Sequence, residues 1–185
     1  MNNFLDEELS TPDARIEGEF AGFWVRVGAT LIDTVLILLL FPFTYYNLTQ
    51  WKNMSLLVPL GIMPNLYKIY CEYRWGATLG KYINNLVVTN EAFEKADFSA
   101  IMLRNSINLA AIFLTLASFF YAFSQPQFAD LHTYLECVAL TTKSPFALYS
   151  NFLGLIFFID ILFIFIGTQF QTLHDRMGKT FVLRY

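Results

Sequence analysis

Residues 27–46 carry a single charge, Asp33, in an otherwise apolar run. A helix of about 20 mostly apolar residues is what a hydrocarbon core demands. Three further runs follow, at 54–70, 107–123 and 152–167. The second is the weakest, with Pro59, Pro64 and Asn65 inside it and Lys68 near its end. The third is broken only by Asn108, and the fourth holds Asp160 at its middle. Composition agrees: the chain is 56% hydrophobic and 15% charged, with mean hydropathy +0.46, whereas a soluble domain carries about 25% charged residues. So much apolar surface excludes a disordered chain, and two cysteines exclude a disulfide scaffold. A net charge of −3 leaves no broad basic surface for nucleic acid. The expected fold class is an all-α membrane protein, a bundle of four transmembrane helices with both termini on one side.

Counting Lys and Arg by side sets the orientation. Arg15, Arg26, Lys68, Arg74, Lys81, Lys95, Arg104, Arg176, Lys179 and Arg184 fall on one side, and only Lys52 and Lys143 on the other. The richer side, with both termini, is expected to be cytoplasmic. Trp24, Trp51 and Trp75 fall at predicted span ends, where indoles anchor at the interface. Residues 1–20 are acidic (Asp6, Glu7, Glu8, Asp13, Glu17, Glu19) and lack the basic start of a cleaved signal. They are expected to form a mobile cytoplasmic tail, with the first span as insertion signal. Cys71 and Cys137 fall on opposite faces and are not expected to pair. The sequons at Asn47 and Asn53 lie so close to the bilayer that chance explains them.

Between the second and third spans, Leu79, Tyr82, Ile83 and Leu86 repeat at i, i+3, i+4, i+7, the pattern of a short amphipathic cytoplasmic helix. Residues 86–89 and 180–185 read as strands that pair, and Ser99 reads as a cap for a helix running through Arg104 into the third span. In the outer connection, 124–150, His132 and Glu136 share a helical face at metal-ligand spacing. No further His or close Cys pair completes a shell, so no metal site is expected.

Charges inside apolar runs are costly, about 2.5–3.5 kcal/mol each at the bilayer centre on the lenient insertion scale, so they face the bundle interior and find partners. Arg26 and Asp33 lie about two turns apart on one helical face. Arg104 is the candidate cation for Asp33 or for Asp175. Asp160 has no cation in its own helix and is expected to be protonated, since burial without a partner favours the neutral form. Two readings stand: a pathway of carboxyls binding a cation or proton, or a structural network of Arg26, Asp33, Arg104 and Asp175 that locks the helices.

Several local motifs then agree in order and spacing. They are Gly22-Phe-Trp-Val-Arg26 through Asp33, Glu72-Tyr-Arg-Trp-Gly76-Ala-Thr78-Leu-Gly80-Lys81, Leu86-Val87-Val88, Arg104-Asn105, and Thr172-Leu173-His174-Asp175-Arg176 through Gly178-Lys179-Thr180. Together they resemble the RDD family of small multi-pass bacterial membrane proteins, named for one Arg and two Asp. The resemblance implies that Arg26 and Asp33 are the Arg and first Asp, and Asp175 the second. It implies a cytoplasmic (inner) membrane location and transport of ions or small solutes, with cation/proton exchange assigned to at least one relative. The outer connection and the Asp160 span look like additions to the minimal pattern.

Neither Gly80-Lys81 nor Gly178-Lys179-Thr180 meets the spacing of a phosphate loop. Gly76, Gly80 and Gly178 are instead expected to make tight turns at the membrane interface, with Lys81 on lipid phosphates and His174 in the last turn. His174-Asp175 lacks a Ser or Cys nucleophile at an elbow, so no enzyme and no cofactor are expected. The first functional expectation is ion or small-solute transport with a monovalent cation or proton as partner, in a homo-oligomer, because four helices make a thin wall. The alternative is a non-transporting membrane assembly or scaffold protein. A polar cavity reaching Asp33 or Asp160 would favour the first, and dry packing the second.

Overall fold

The computed structural model describes residues 16, 18–166 and 168–185. In chain order the elements are β1 (Glu19–Phe20), α1 (Phe23–Leu38), α2 (Phe41–Tyr46) with a π turn over Asn47–Trp51, α3 (Met54–Trp75), α4 (Leu79–Ile83), β2 (Leu86–Asn90), α5 (Phe98–Arg104), α6 (Ser106–Phe123), a 3-10 turn at Pro126–Asp130, α7 (Tyr134–Thr141), α8 (Ala147–Leu162) with a 3-10 turn at Phe163–Phe165, α9 (Leu173–Met177) and β3 (Thr180–Arg184).

The first apolar run forms two helices, not one straight span. α1 and the α2 segment meet at a 45° bend, and Pro42 in the first turn of α2 explains it. Proline brings no N–H to the helical ladder, and its ring collides with the carbonyl four residues back. The threonines in these helices bond backward to the carbonyl four residues earlier, Thr30 to Arg26, Thr34 to Thr30 and Thr44 to Leu40, so their hydroxyls are partnered within the helix.

Among the described residues, α6 and the Ala147–Phe165 segment are long and apolar enough to cross a membrane, and the bent pair makes a third if it is one span. α3 is 22 residues, about 33 Å at 1.5 Å per residue, but falls outside that group. Its last turns carry Lys68, Glu72 and Arg74. The described helices therefore supply two or three spans by length and composition, where the runs predict four.

The chain divides into two compact units. One comprises residues 1–36, 66–106 and 158–185, the other residues 37–65 and 107–157. In the first, β2 and β3 pair antiparallel from Leu86↔Arg184 to Asn90↔Thr180, as their patterning predicts. A third strand joins them: Glu19 and Phe20 pair with Arg184 and Leu183, in the order β1-β3-β2. The end of the expected mobile tail is thus part of the sheet, and the rest of the tail call, residues 1–15 and 17, lies outside the described residues. Val87, Phe181 and Leu183 bury one sheet face under Ile16, Phe20 and Phe93, while Leu86, Val88 and Val182 are buried on the other.

Two local details differ from expectation. The amphipathic helix stops at Ile83, and Leu86 opens β2. Asp97, not Ser99, caps α5 by accepting from the Ala100 N–H, and the helix breaks at Asn105 before α6 begins.

In the second unit the outer connection folds rather than looping through solvent. Leu48, Leu57, Ala122, Phe128, Cys137 and Leu140 form one core. Glu136 closes a capping box with Thr133 at the start of α7, accepting from the Thr133 and His132 N–H groups, which is the role its spacing serves. Asn47, one of the sequon residues, is fully buried and donates to the Asn53 carbonyl. Cys71 and Cys137 are free and buried.

Candidate functional site: a buried charge cluster

A five-residue helix places Asp175. Thr172 caps α9, its hydroxyl accepting from the Asp175 N–H at 3.4 Å while the Asp175 carboxylate accepts from the Thr172 N–H at 3.2 Å. The fully buried carboxylate then divides its oxygens between two guanidinium groups. Oδ2 accepts from Arg26 Nη1, and Oδ1 pairs with Arg104 Nη1, each at 2.5 Å. Arg26, in the first turn of α1, also donates from Nε to the Ala21 carbonyl at 3.0 Å. Arg104, the last residue of α5, donates to Thr180 Oγ1 at 3.0 Å, and its Nε lies 3.5 Å from Glu72 Oε2.

Glu72 extends the cluster. Its side chain is buried; it accepts from the Lys81 ammonium and from Asn105 Nδ2 at 3.2 Å. Beside it, Asp160 accepts from the His174 backbone N–H at 2.8 Å and lies 2.7 Å from His174 Nδ1. His174 Nε2 is 3.6 Å from Asp175 Oδ1. Three cations, Arg26, Lys81 and Arg104, therefore meet two carboxylates, Glu72 and Asp175, and Asp160 joins them through His174. Ions this deep persist only when paired and hydrogen-bonded.

Asp33 stands apart. Tyr67 donates to Oδ1 at 3.2 Å, Thr78 to Oδ2 at 2.6 Å, and the Gly80 N–H to Oδ1 at 2.8 Å. Tyr67 in turn accepts from the Leu79 N–H at 2.9 Å. Asp33 thus satisfies the first turn of α4, where backbone N–H groups lack helical partners. The approach is possible because residue 80 is glycine: a Cβ there would lie 2.0 Å from the Ala29 carbonyl oxygen. Gly178 has a similar function against α5, where a Cβ would come 2.8 Å from both the Ala100 carbonyl oxygen and Arg104 Cβ.

Burial alone would raise the Asp175 pKa, but Arg104, then His174 and Arg26, outweigh it and hold the carboxyl well below the usual range. For His174 burial dominates and lowers the pKa, against the hydrogen bond to Asp160 and the charge of Asp175. Burial also lowers Lys81, to about 8, against the pull of Glu72.

Several expectations need correction. Of the two candidates for Arg104, Asp175 is the one it pairs with and Asp33 is not, and Glu72 is a further partner that was not expected. Arg26, about two turns from Asp33 on α1, pairs across the chain with Asp175. Asp160 is not unpartnered, because His174 holds it. Lys81 turns inward to Glu72 instead of toward lipid phosphate. Of the three interface glycines only Gly76, at φ 70°, makes a turn that needs glycine's freedom, directly after α3. Gly80 and Gly178 serve close packing. Glu72, Tyr67, Asn105 and Thr180 had no assigned role. For Glu72 the usable signal is Lys68 one turn back on the same helix face, which marks a polar stripe along the end of α3. No group of three or more His, Cys, Asp or Glu placed to hold a metal ion occurs among the described residues.

Apolar helices of spanning length, joined to a small sheet and a buried cluster of acids and bases, define a helical membrane protein. The RDD family pattern matches residues 20–179, and the chain belongs to the RDD family. No curated protein and no solved structure matches it.

Proposed function

We propose that the chain is a four-span bacterial inner-membrane protein acting as an assembly module, whose buried charges fix helix positions rather than carry ions. In this reading α3 is the fourth span, with Lys68, Glu72 and Arg74 at its cytoplasmic end, and both termini are cytoplasmic by the uneven distribution of Lys and Arg. The observation that carries the reading is Asp175, wholly buried with each oxygen on a different guanidinium. A titrating or ion-binding carboxylate must exchange its partners, and one locked by two buried arginines does not.

A second reading, cation/proton exchange, draws on Asp33, whose partners are all neutral donors. Asp33 takes part in no salt bridge among the described residues. One experiment separates the two. In liposomes holding the purified protein, cation-dependent proton flux is measured for the wild type and for Asp33→Asn and Asp160→Asn. The assembly reading expects flux no greater than that of empty liposomes. Flux in the wild type that disappears in folded Asp33→Asn overturns it in favour of exchange.

A further inference from the structure

We infer that α4 is a lipid-interface anchor, a short helix whose outer face enters the headgroup and acyl boundary of an anionic leaflet while Asp33 hooks its inner face to the first membrane helix. The two faces differ sharply. Inside, Gly80 is buried against Ala29 and hydrogen-bonded to Asp33, and Lys81 turns to Glu72. Outside, Leu79, Tyr82 and Ile83 are 45%, 46% and 55% exposed. Three large apolar side chains on one face of a five-residue helix have no place in water.

What covers them follows from the hook. Asp33 belongs to an apolar helix, between Ile32 and Thr34, and Leu31, Val35 and Leu36 beside it are exposed. A helix hydrogen-bonded to Asp33 lies at the depth of these residues, so its own outer face meets the medium they meet. The nearby end of α3 presents Tyr70 and Trp75, packed edge to face at 5.4 Å and both exposed, together with Arg74. Amphipathic aromatic rings with a cation beside them suit a layer that is apolar below and negatively charged above. The occupant is therefore lipid rather than a protein partner.

The inference rests on the membrane placement proposed above and is independent of whether the chain moves ions. Spin labels at Ile83→Cys and Leu79→Cys test it in vesicles of phosphatidylethanolamine and phosphatidylglycerol, with the unmodified protein, whose two cysteines are buried, as blank. Collisions with oxygen, which concentrates in lipid, are compared with collisions with a water-soluble nickel chelate. Phe113→Cys, on the exposed side of α6, reports insertion, and Glu91→Cys, in the turn after β2, reports water. The expected result is oxygen in excess at 79, 83 and 113, and nickel in excess at 91. Nickel in excess at 79 and 83 with oxygen in excess at 113 overturns the anchor alone. Low collision rates with both reagents at 79 and 83 mean that protein covers the face, and also overturn it. Nickel in excess at 113 overturns the membrane placement itself.

Discussion

Asp175 is the residue on which most of the cluster depends. Replacing it with Asn removes the charge that two buried guanidinium groups share, and the geometry leaves neither arginine another carboxylate at 2.5 Å. Breaking a buried pair from one side costs about 3–5 kcal/mol, because the surviving charge stays buried. Asp175→Asn should therefore lower the unfolding midpoint in detergent far more than Asp33→Asn, whose partners are neutral donors, whose amide oxygen still accepts, and which strands no buried charge. Equal losses would contradict the ranking. The cluster also sets the response to acid. His174 has a folded pKa below its ordinary 6.5, so below that pH the unfolded chain takes up a proton that the fold refuses, and stability falls. Asp175, depressed from 3.8, adds its contribution above its ordinary value and loses it as pH drops further. Acid unfolding should thus begin below about 6.5 and steepen below about 4. His174→Gln should abolish the first step and leave the second.

At the scale of elements, two glycines decide whether short helices can dock. Gly80→Ala puts a methyl 2.0 Å from the Ala29 carbonyl oxygen and 2.9 Å from the Asp33 carboxyl carbon. Backbone must move, so α4 should detach from Asp33 and the protein should lose at least the ~1–3 kcal/mol typical of overpacking. Gly154→Ala, inside α8 with nothing within 4 Å of the new methyl, should be neutral or gain up to ~1 kcal/mol of helix propensity. Thermal unfolding of the two variants side by side checks the contrast, and equal midpoints would refute it. Elements were also where the sequence was most readable. The long apolar runs announce α6 and α8 directly, and the short apolar, β-branched runs at 86–89 and 180–185, each beside turn residues, announce a strand pair without tertiary information. The bend at Pro42 and the break at Asn105 depend on where neighbouring helices and caps fall, and hydropathy does not register them.

Across the whole molecule, what the sequence hid is contact between distant segments. Arg26 and Asp175 are 149 positions apart, and Arg104 and Thr180 are 76 apart. A list of charges in apolar runs identifies the residues that need partners, yet it assigned Arg104 to two candidates and missed Glu72 as the third acid. Asp160 and His174 are only 14 apart, but their meeting requires the chain to reverse between α8 and α9, which no local pattern encodes. The same dispersal has a consequence for folding. The unit holding the charge cluster draws on three separate stretches of chain, and the other on two. β3, at the C-terminal end, is the central strand of the sheet, with Val182 1% exposed opposite Val88. A charge at Val182 should therefore undo the first unit through its sheet, since a buried unpaired carboxylate cannot be accommodated. Each unit holds one buried cysteine, Cys71 in the first and Cys137 in the second, so the native chain reports on both. In Val182→Asp, a membrane-permeant maleimide should label Cys71 rapidly while Cys137 keeps its wild-type protection. Simultaneous labelling of both would mean that the two units unfold as one cooperative body, and protection of both would mean that the sheet is dispensable to the unit it belongs to.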